Sequence, residues 1–139
     1  MAEPIFKHLS EEEVLVAREF IRRVIPDAKL RFDVPLKSKI PLGISEMKEP
    51  YKSMWEYLTA KKIDIVAEYT DKIMIIEVKQ RLHASAVGQL LLYRKMYLEQ
   101  YKPAKPIELW HIAMYPDLDV IDLLNDMGIK WWCLNESII

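Results

Sequence analysis

The stretch from Lys62 to Tyr97 constrains the fold most, because it predicts three consecutive elements that must pack against one another. Two short runs rich in isoleucine and valine are separated by Thr70-Asp71, and aspartate tolerates the backbone conformations of tight turns. A run with helical spacing follows. The sequence therefore predicts a strand, a turn, an antiparallel strand, a short loop and a helix, in that order.

The length of the turn decides which side chains of this hairpin face each other. With an even loop Tyr69 pairs with Lys72, and counting back along both strands pairs Asp64 with Glu77. An odd loop would turn Asp64 to the other face of the sheet. Because side chains alternate along a strand, Glu77 shares its face with Lys79. The even register therefore predicts three charged side chains on one face, with the Cβ atoms of the two acids about 4.5–5.5 Å apart.

Two carboxylates that face each other across a hairpin repel each other, so we expect a cation between them. Hard oxygen ligands suit Mg²⁺ or Mn²⁺, with waters and a substrate phosphate completing the coordination. Lys79 adds positive charge where a phosphoryl oxygen would develop negative charge. A purely structural hairpin, in which Lys79 only neutralises Glu77, would not explain why Asp64 faces both. The pattern therefore predicts a metal site for phosphate chemistry.

These residues resemble the D…(D/E)XK signature of the PD-(D/E)XK nuclease superfamily, with Asp64 followed by the tripeptide Glu77–Lys79. The run Gln89–Tyr93, QLLLY, resembles the QxxxY motif of the RecB-like branch of that superfamily. Ile63 stands where the first motif of the superfamily has a proline. The motifs cover the middle third of the chain, and the order of the elements covers nearly all of it.

The resemblance implies a metal-dependent nuclease that hydrolyses phosphodiester bonds in DNA, as in repair or recombination. Asp64, Glu77 and the backbone carbonyl of Val78 would bind Mg²⁺ or Mn²⁺, and Lys79 would orient or help to deprotonate the attacking water. Single-strand exonuclease, nicking endonuclease and junction resolvase all fit the motifs. The alternative is a nucleic-acid-binding or scaffolding protein on the same fold without catalysis, which the complete Asp, Glu and Lys set argues against.

Ser85 is predicted to be the N-cap of the helix after the hairpin, which carries Gln89 and Tyr93 one turn apart on the same face. In the resembled family these two positions help to hold the site and the nucleic-acid strand. The alternative is that Tyr93 belongs to the core and Gln89 to the helix surface. Arg94 and Lys95 fit phosphate contacts and an ordinary exposed surface equally. The candidates for contacts with nucleic acid are Lys62, Arg94 and Lys95.

The first predicted helix begins at Ser10, with Glu13 completing a capping box. Many members of the superfamily have a glutamate on this helix that helps to bind metal. Glu13 is the best match, because it lies in line with Ala17, Phe20 and Val24 on the predicted buried side. The alternative is that Glu13 only caps the helix and interacts favourably with its dipole. Glu13 is therefore an additional candidate metal ligand.

The whole chain, residues 1–139, is predicted to form a single nuclease domain of the α/β class. The first strand alternates Leu30, Phe32 and Val34 with charged residues. The elements follow the order αβββαβαβ, which matches a restriction-endonuclease-like αβββαβ core with an added C-terminal helix and strand. Strand–helix–strand connections imply a mixed sheet flanked by helices. The remaining predicted elements are strands at 29–37, 107–115 and 130–134 and a helix at 118–127, closed by Gly128.

Residues 39–60 are interpreted as an insertion between the first and second strands, with a short helix that begins at Pro50. Lysines are frequent in and around this segment, and they are interleaved with Tyr51, Trp55 and Tyr57. Such a mixture could bind nucleic acid by phosphate contacts and stacking. The favoured interpretation is a solvated insertion whose aromatic side chains pack against the sheet.

Composition excludes several classes of protein. The net charge of −1 argues against a protein that coats DNA non-specifically. The single cysteine, Cys133, excludes an intramolecular disulfide framework and the cysteine-ligated iron–sulfur cluster of some RecB-like nucleases. No signal peptide and no membrane-spanning run are predicted, so we expect an intracellular, cytoplasmic protein. A chain of 139 residues offers little area for holding DNA, so a homodimer or a larger protein partner is expected.

Overall fold

The computed structural model describes residue 6 and residues 8–136, which form one mixed five-stranded sheet with helices on both faces. The strands β1 to β3 are antiparallel neighbours, whereas β3, β4 and β5 run parallel. The predicted α/β fold with a mixed sheet is confirmed. The strands, in their spatial order, are β1 (Lys29–Leu36), β2 (Lys61–Glu68), β3 (Ile73–Arg81), β4 (Ile107–Tyr115) and β5 (Lys130–Cys133). The helices are α1 (Glu11–Val24), α2 (Leu42–Ser45), α3 (Tyr51–Thr59), α4 (Ala84–Tyr101) and α5 (Leu118–Asp126).

The sheet separates two hydrophobic clusters. Buried residues of α4 and α5 form one cluster with one face of the sheet, and buried residues of α1 form the other cluster with the opposite face. Asp117 caps α5, and Gly128 follows that helix with φ 69°, as the sequence predicts for a helix terminus. Cys133 is buried in the first cluster, as expected for a structural thiol. None of the described helices is both long and apolar enough to cross a bilayer.

The register of the central hairpin agrees with the even turn. Its ladder pairs Ile65 with Ile76, and the N–H of Tyr69 donates to the carbonyl of Lys72 at 2.9 Å. The predicted even register is therefore confirmed over this ladder. The two acids of the hairpin occupy the next opposed positions beyond its last pair.

In β1 and β2 the regular alternation of side chains between the two faces of the sheet is interrupted, at the same level in both strands. Phe32 and Ile65 pair with each other and belong to the α1 side, whereas the paired Val34 and Ile63 belong to the α4 side. Between Phe32 and Val34, Asp33 has φ 50°, which is uncommon for a residue other than glycine. The predicted strict alternation is wrong here, because the left-handed conformation of Asp33 interrupts the pleat.

The buried face of α1 also differs from the prediction. Val16, Ala17 and Phe20 are fully buried, whereas Val24 is 37% exposed. The prediction that Val24 lies on the buried side is therefore wrong, whereas Ala17 and Phe20 are buried as predicted. Glu13 still lies one turn before Val16 and Ala17, so it stays near the buried side.

Residues 39–60 contain α2 and α3, and α3 follows Pro50 as predicted. Trp55 is half-buried and lines a cavity of about 260 Å³, whereas Tyr51 is 64% and Tyr57 is 82% exposed. The predicted packing of both tyrosines against the sheet is wrong. Trp55 and Tyr57 are two residues apart and therefore point about 200° apart on a helix, so an inward Trp55 turns Tyr57 outward. The interpretation of this segment as an insertion stays a prediction, as does the single-domain organisation.

Candidate functional site

Asp64 lies in β2 between Ile63 and Ile65, where the alternation of side chains between the two faces is interrupted. Its Oδ2 accepts a hydrogen bond from the backbone N–H of Val78 at 2.9 Å. This bond lies beyond Ile65 and Ile76, the last backbone pair between β2 and β3. Burial raises the pKa of Asp64, and the bond from Val78 and a hydrogen bond with the Glu77 carboxyl oppose that increase. The hairpin therefore places Asp64 and Glu77 beside each other in one groove, close enough for each carboxyl to shift the pKa of the other, as the even register predicts.

Glu77 is the more buried of the two acids, with 5% of its surface exposed. Burial and the charge of Asp64 raise the pKa of Glu77 to about 9. Its Oε2 atom is buried and has no hydrogen-bond partner among the described residues. The Nζ atom of Lys79 lies 3.8 Å from Oε1, and the Lys79 side chain is 30% exposed. The three charged side chains predicted for one face are thus close together.

Gln89 and Tyr93 of α4 lie beside this pair of acids. Tyr93 is buried in the core cluster, and burial and the charge of Glu77 raise the pKa of its hydroxyl, whereas a hydrogen bond with Gln89 lowers it. The Oε1 atom of Gln89 is buried and unpaired within the part of the chain that the structure describes. Tyr93 is therefore both a core residue and a neighbour of the acids, so the two sequence-based interpretations of this residue are compatible.

Glu13 caps its helix, as predicted. Its Oε1 accepts from the N–H of Ser10 at 3.1 Å, and the Ser10 hydroxyl accepts from the N–H of Glu13 at 3.2 Å. The charge of Glu13 also raises the pKa of both Asp64 and Glu77, so its carboxylate lies in their electrostatic range. Within residues 8–136, however, no three His, Cys, Asp or Glu side chains converge as a metal cluster. The role of Glu13 as a ligand stays a prediction.

The site fits a hard divalent cation through its unpaired oxygens. A buried carboxylate oxygen without a partner is costly, and a cation that binds there removes the cost. Mg²⁺ typically uses one or two carboxylates and keeps several waters, so it needs no third acidic side chain. Asp64 and Glu77 provide such a pair, and Gln89, which hydrogen-bonds Tyr93, has a second unpaired buried oxygen. The donor set is therefore compatible with the predicted Mg²⁺ or Mn²⁺.

A groove with a volume of about 470 Å³ opens over the two acids. One of its walls comes from the end of α3, and the other side comes from β2 and α4. The site is therefore accessible to a ligand from solvent. The residues that line the groove are His8, Tyr57, Leu58, Ala60, Lys62, Asp64, Glu77 and Tyr93.

The three cations predicted to contact nucleic acid differ in position. Lys62 is exposed in the groove, with its Nζ atom 3.5 Å from Nε2 of His8. Lys95 forms an ion pair with Glu99 on the exposed surface of α4. Of the residues that the structure describes, those lining the groove include neither Arg94 nor Lys95. The structure therefore brings only Lys62 of these three to the acids.

The sequence analysis missed His111, which lies fully buried in β4. Its Nδ1 donates to the backbone carbonyl of Glu77 at 3.2 Å, and its Nε2 accepts from the backbone N–H of His83 at 3.0 Å. Burial lowers the pKa of His111 to about 4, so the ring is neutral at pH 7. His111 thus connects the strand that carries Glu77 to the start of α4. The available signal was a histidine within the run LWHIAM, where the neighbouring residues of the strand are apolar.

The N-cap of α4 also differs from the prediction, because it is His83. The Nδ1 atom of His83 accepts from the backbone N–H of Ser85 at 3.0 Å. The predicted N-cap at Ser85 is therefore wrong by two residues, and the helix begins correspondingly earlier, at Ala84. The shift arises because the ring nitrogen of His83 satisfies a free N–H of the first turn.

No protein-family model and no curated protein matches the chain. Solved structures match it by fold. A repair endonuclease from Pyrococcus abyssi has a TM-score of 0.52 and 20% identity, over 96% of this chain and 50% of that one. A complex of EndoMS with double-stranded DNA has a TM-score of 0.50 and 16% identity, over 96% of this chain and 49% of that one. At these identities the likeness shows the fold alone, and the chain spans about half the length of each of the two structures.

Proposed function

We propose that the chain is a metal-dependent deoxyribonuclease of the PD-(D/E)XK type, which hydrolyses phosphodiester bonds in DNA. The observation that carries the proposal is the contact between Asp64 and Glu77, with one buried Glu77 oxygen unpaired. A protein that only binds DNA gains nothing from two touching acids in its groove, because they repel phosphate. The fold shared with a repair endonuclease and with a protein bound to double-stranded DNA supports DNA as the substrate.

The proposal assigns the metal to the two acids. Asp64 and Glu77 would bind Mg²⁺ or Mn²⁺, with the backbone carbonyl of Val78 as a further ligand. The bound cation would supply Lewis-acid chemistry, by lowering the pKa of a coordinated water and by neutralising charge on the phosphate. The Asp64 oxygen that accepts from Val78 is fixed in orientation, so the carboxylate is preorganised for this purpose.

The neighbouring side chains would act on the water and on the phosphate. Lys79, beside Glu77, would hydrogen-bond the attacking water and offset negative charge that develops on the phosphate oxygens. Gln89 would use its free carbonyl oxygen as an acceptor, and Tyr93 would hold Gln89 in place. In the reaction the water oxygen bonds to phosphorus and releases a proton to solvent, one P–O ester bond breaks, and the leaving oxygen takes up a proton from solvent. A second copy of the chain or a larger partner would supply additional contacts to DNA.

The metal requirement gives the direct test of this function. Labelled single-stranded, duplex, flap and four-way DNA should include a substrate that is cleaved with Mg²⁺ or Mn²⁺ and not in chelator. Ca²⁺ should permit binding without turnover, because its longer and looser coordination suits in-line attack poorly. Asp64→Asn, purified in parallel, controls for contaminating nucleases. Undiminished cleavage in excess chelator, or equal cleavage by the variant, would contradict the proposal.

The positions of Gln89 and Tyr93 predict graded effects on turnover. Gln89→Ala should lower kcat by roughly 10- to 100-fold with little change in melting temperature, because the side chain orients groups at the site. Tyr93→Phe should be milder than Tyr93→Ala, since the ring also packs in the core. Tyr97→Phe is the matched control, because its hydroxyl lies one turn further along α4 and contacts Arg31 at 2.6 Å. A wild-type rate for Gln89→Ala on every substrate would remove this face of α4 from the site.

A further inference from the structure

We propose that Tyr57 forms a stacking site for one unpaired base beside the two acids, so that the preferred substrates are DNA strands with an exposed base next to the cleaved bond. The proposal rests on the proposed nuclease function and names the substrate class of the same site. It assigns a role to α3, which the catalytic scheme above does not use.

The first observation is the position of Tyr57 in the groove. Tyr57 is 82% exposed, yet it lines the same groove as Asp64 and Glu77. Its neighbour Leu58 is also largely exposed and also lines the groove. Apolar surface of this kind beside polar groups is typical of a binding site. The wall formed by α3 therefore presents a flat ring and an aliphatic side chain to whatever enters the groove.

The second observation is the orientation of α3, which directs Tyr57 outward. Trp55 anchors α3 inward, at a cavity that Leu36 also lines. The hydroxyl of Thr59 donates to the carbonyl of Trp55 at 2.9 Å, which fixes the last turn of the helix. With Trp55 inward, helix geometry points Tyr57 away from the body of the protein. A tyrosine side chain has only two torsions, so it loses little conformational entropy when a base stacks on it.

The third observation is the distribution of charge along the groove. Lys62 lies exposed in it, beside His8, and the Nζ atom of Lys79 lies 3.8 Å from Oε1 of Glu77, one of the acids that line the groove. A nucleotide combines a flat base with an anionic phosphate, so the ring suits the base and the cations suit the phosphate. The groove volume of about 470 Å³ falls in the range of ~300–1,000 Å³ that is usual for small-molecule sites. One nucleotide is a ligand of this size and chemistry.

Stacking on Tyr57 requires a base with a free face. In an intact duplex the faces of each base are covered by its neighbours, whereas single strands, flaps and extruded bases expose them. A base must therefore be unpaired, or must leave the helix at an energetic cost, before it reaches the ring. We infer that continuous duplex is the poorer substrate.

A single-stranded oligonucleotide containing one 2-aminopurine tests the site, because stacking on an aromatic ring quenches this fluorescent base. Binding is measured in chelator, and cleavage kinetics are measured with Mg²⁺ on the same sequence, single-stranded and fully paired. Tyr57→Ala should abolish the quenching, weaken single-strand binding by roughly 5- to 150-fold, and raise KM more than it lowers kcat. Tyr57→Phe should retain all three properties. Tyr51→Ala is the matched control, because Tyr51 is exposed on the same helix and is not among the described residues that line the groove.

Each alternative outcome overturns the stacking site. The first two outcomes are wild-type affinity of Tyr57→Ala for the oligonucleotide and an equal loss of affinity in Tyr57→Ala and Tyr51→Ala. The third is no binding of the oligonucleotide by the wild-type protein. The fourth is a change in the sedimentation of Tyr57→Ala with unchanged DNA binding. The last result would identify α3 as a contact between copies of the chain. Failure of the nuclease function is distinguishable: it would appear as Tyr57-dependent binding without cleavage of any substrate. Cleavage that requires Asp64 but not Tyr57 would overturn only the stacking site.

Discussion

In chelator at pH 8, the Glu77→Gln and Asp64→Asn variants should melt several degrees above the wild-type protein, although each should cleave DNA roughly 10³-fold more slowly or not at all. Either change removes one of two touching acids and keeps its shape. The amide of Asn at position 64 retains an oxygen that can accept from the N–H of Val78. The gain arises because burial and mutual repulsion disfavour two ionised carboxylates in this position.

The stability difference should increase with pH. The folded-state pKa of Glu77, about 9, lies above its unfolded value of about 4.3. A raised pKa contributes stability that is fully present below the unfolded value and is lost as the pH rises towards the folded one. Metal-free wild type should therefore lose stability between about pH 4.3 and pH 9, by at most about 1.4 kcal/mol per pH unit for this proton. Glu77→Gln lacks this loss, so the two melting curves should diverge as the pH rises.

Thermal unfolding across this pH range, with chelator and with Mn²⁺, measures both effects. Wild type should gain stability from Mn²⁺, by about 2.7 kcal/mol at a concentration 100-fold above Kd, because the ion binds only the folded state. The two variants should lose most of that gain. Variants that are clearly less stable than wild type in chelator would show that cationic side chains hold the acids, and the paired-carboxylate site would be wrong.

His111→Ala should destabilise the protein by about 3–5 kcal/mol, which is a large part of the stability of an average domain. The substitution leaves the carbonyl of Glu77 and the N–H of His83 without their partner, and it opens a cavity beneath the site. Denaturant unfolding with chelator measures the loss. His111→Gln, which retains a donor and an acceptor, should recover part of it. A loss below about 1 kcal/mol for the alanine variant would mean that water replaces both bonds.

His111 should also make the fold sensitive to acid. Its folded-state pKa, about 4, lies below the ordinary value of 6.5, mainly because of burial and also because of Lys79 and His83. A lowered histidine pKa contributes stability that is present above the unfolded value and is lost as the pH falls to the folded one. Protonation of Glu77 acts in the opposite direction over part of this range, so the measurement belongs in the Glu77→Gln variant. There, stability should fall by about 3 kcal/mol from pH 7 to pH 4, and the fall should disappear when His111→Gln is added.

The parts of the site that follow from local geometry were predictable from the sequence. Whether the hairpin turn has an even or an odd number of residues decides which residues of the two strands oppose each other. The opposition of Asp64 and Glu77 therefore followed from counting residues back from an even turn. The helical period places Gln89 and Tyr93 on one face, and the structure directs that face towards the acids. Both predictions depend on spacing within continuous elements, and the structure keeps those elements intact.

The parts that depend on tertiary context were not predictable. The left-handed conformation of Asp33 has no sequence signal, because it arises from the way β1 and β2 pass between two clusters. The short helix α3 offers aromatic residues on several sides, and only the direction of Trp55 decides that Tyr57 faces the groove. A histidine between apolar residues of a strand resembles an ordinary core residue. The hydrogen bonds of His111 depend on the relative positions of β3, β4 and the start of α4, which the sequence does not give.

On the proposed function, the position of Asp64 between the two hydrophobic clusters would make loss of cleavage separable from loss of folding during evolution. Asp64 belongs to neither hydrophobic cluster among the described residues. The hydrogen bond that it accepts from Val78 can be accepted by asparagine as well. Because one nucleotide change converts an aspartate codon into an asparagine codon, a folded descendant without cleavage activity is one mutation away. Such a descendant would keep its groove, including Tyr57 and Lys62, and with one fewer negative charge there it would bind DNA more tightly than its parent does without metal.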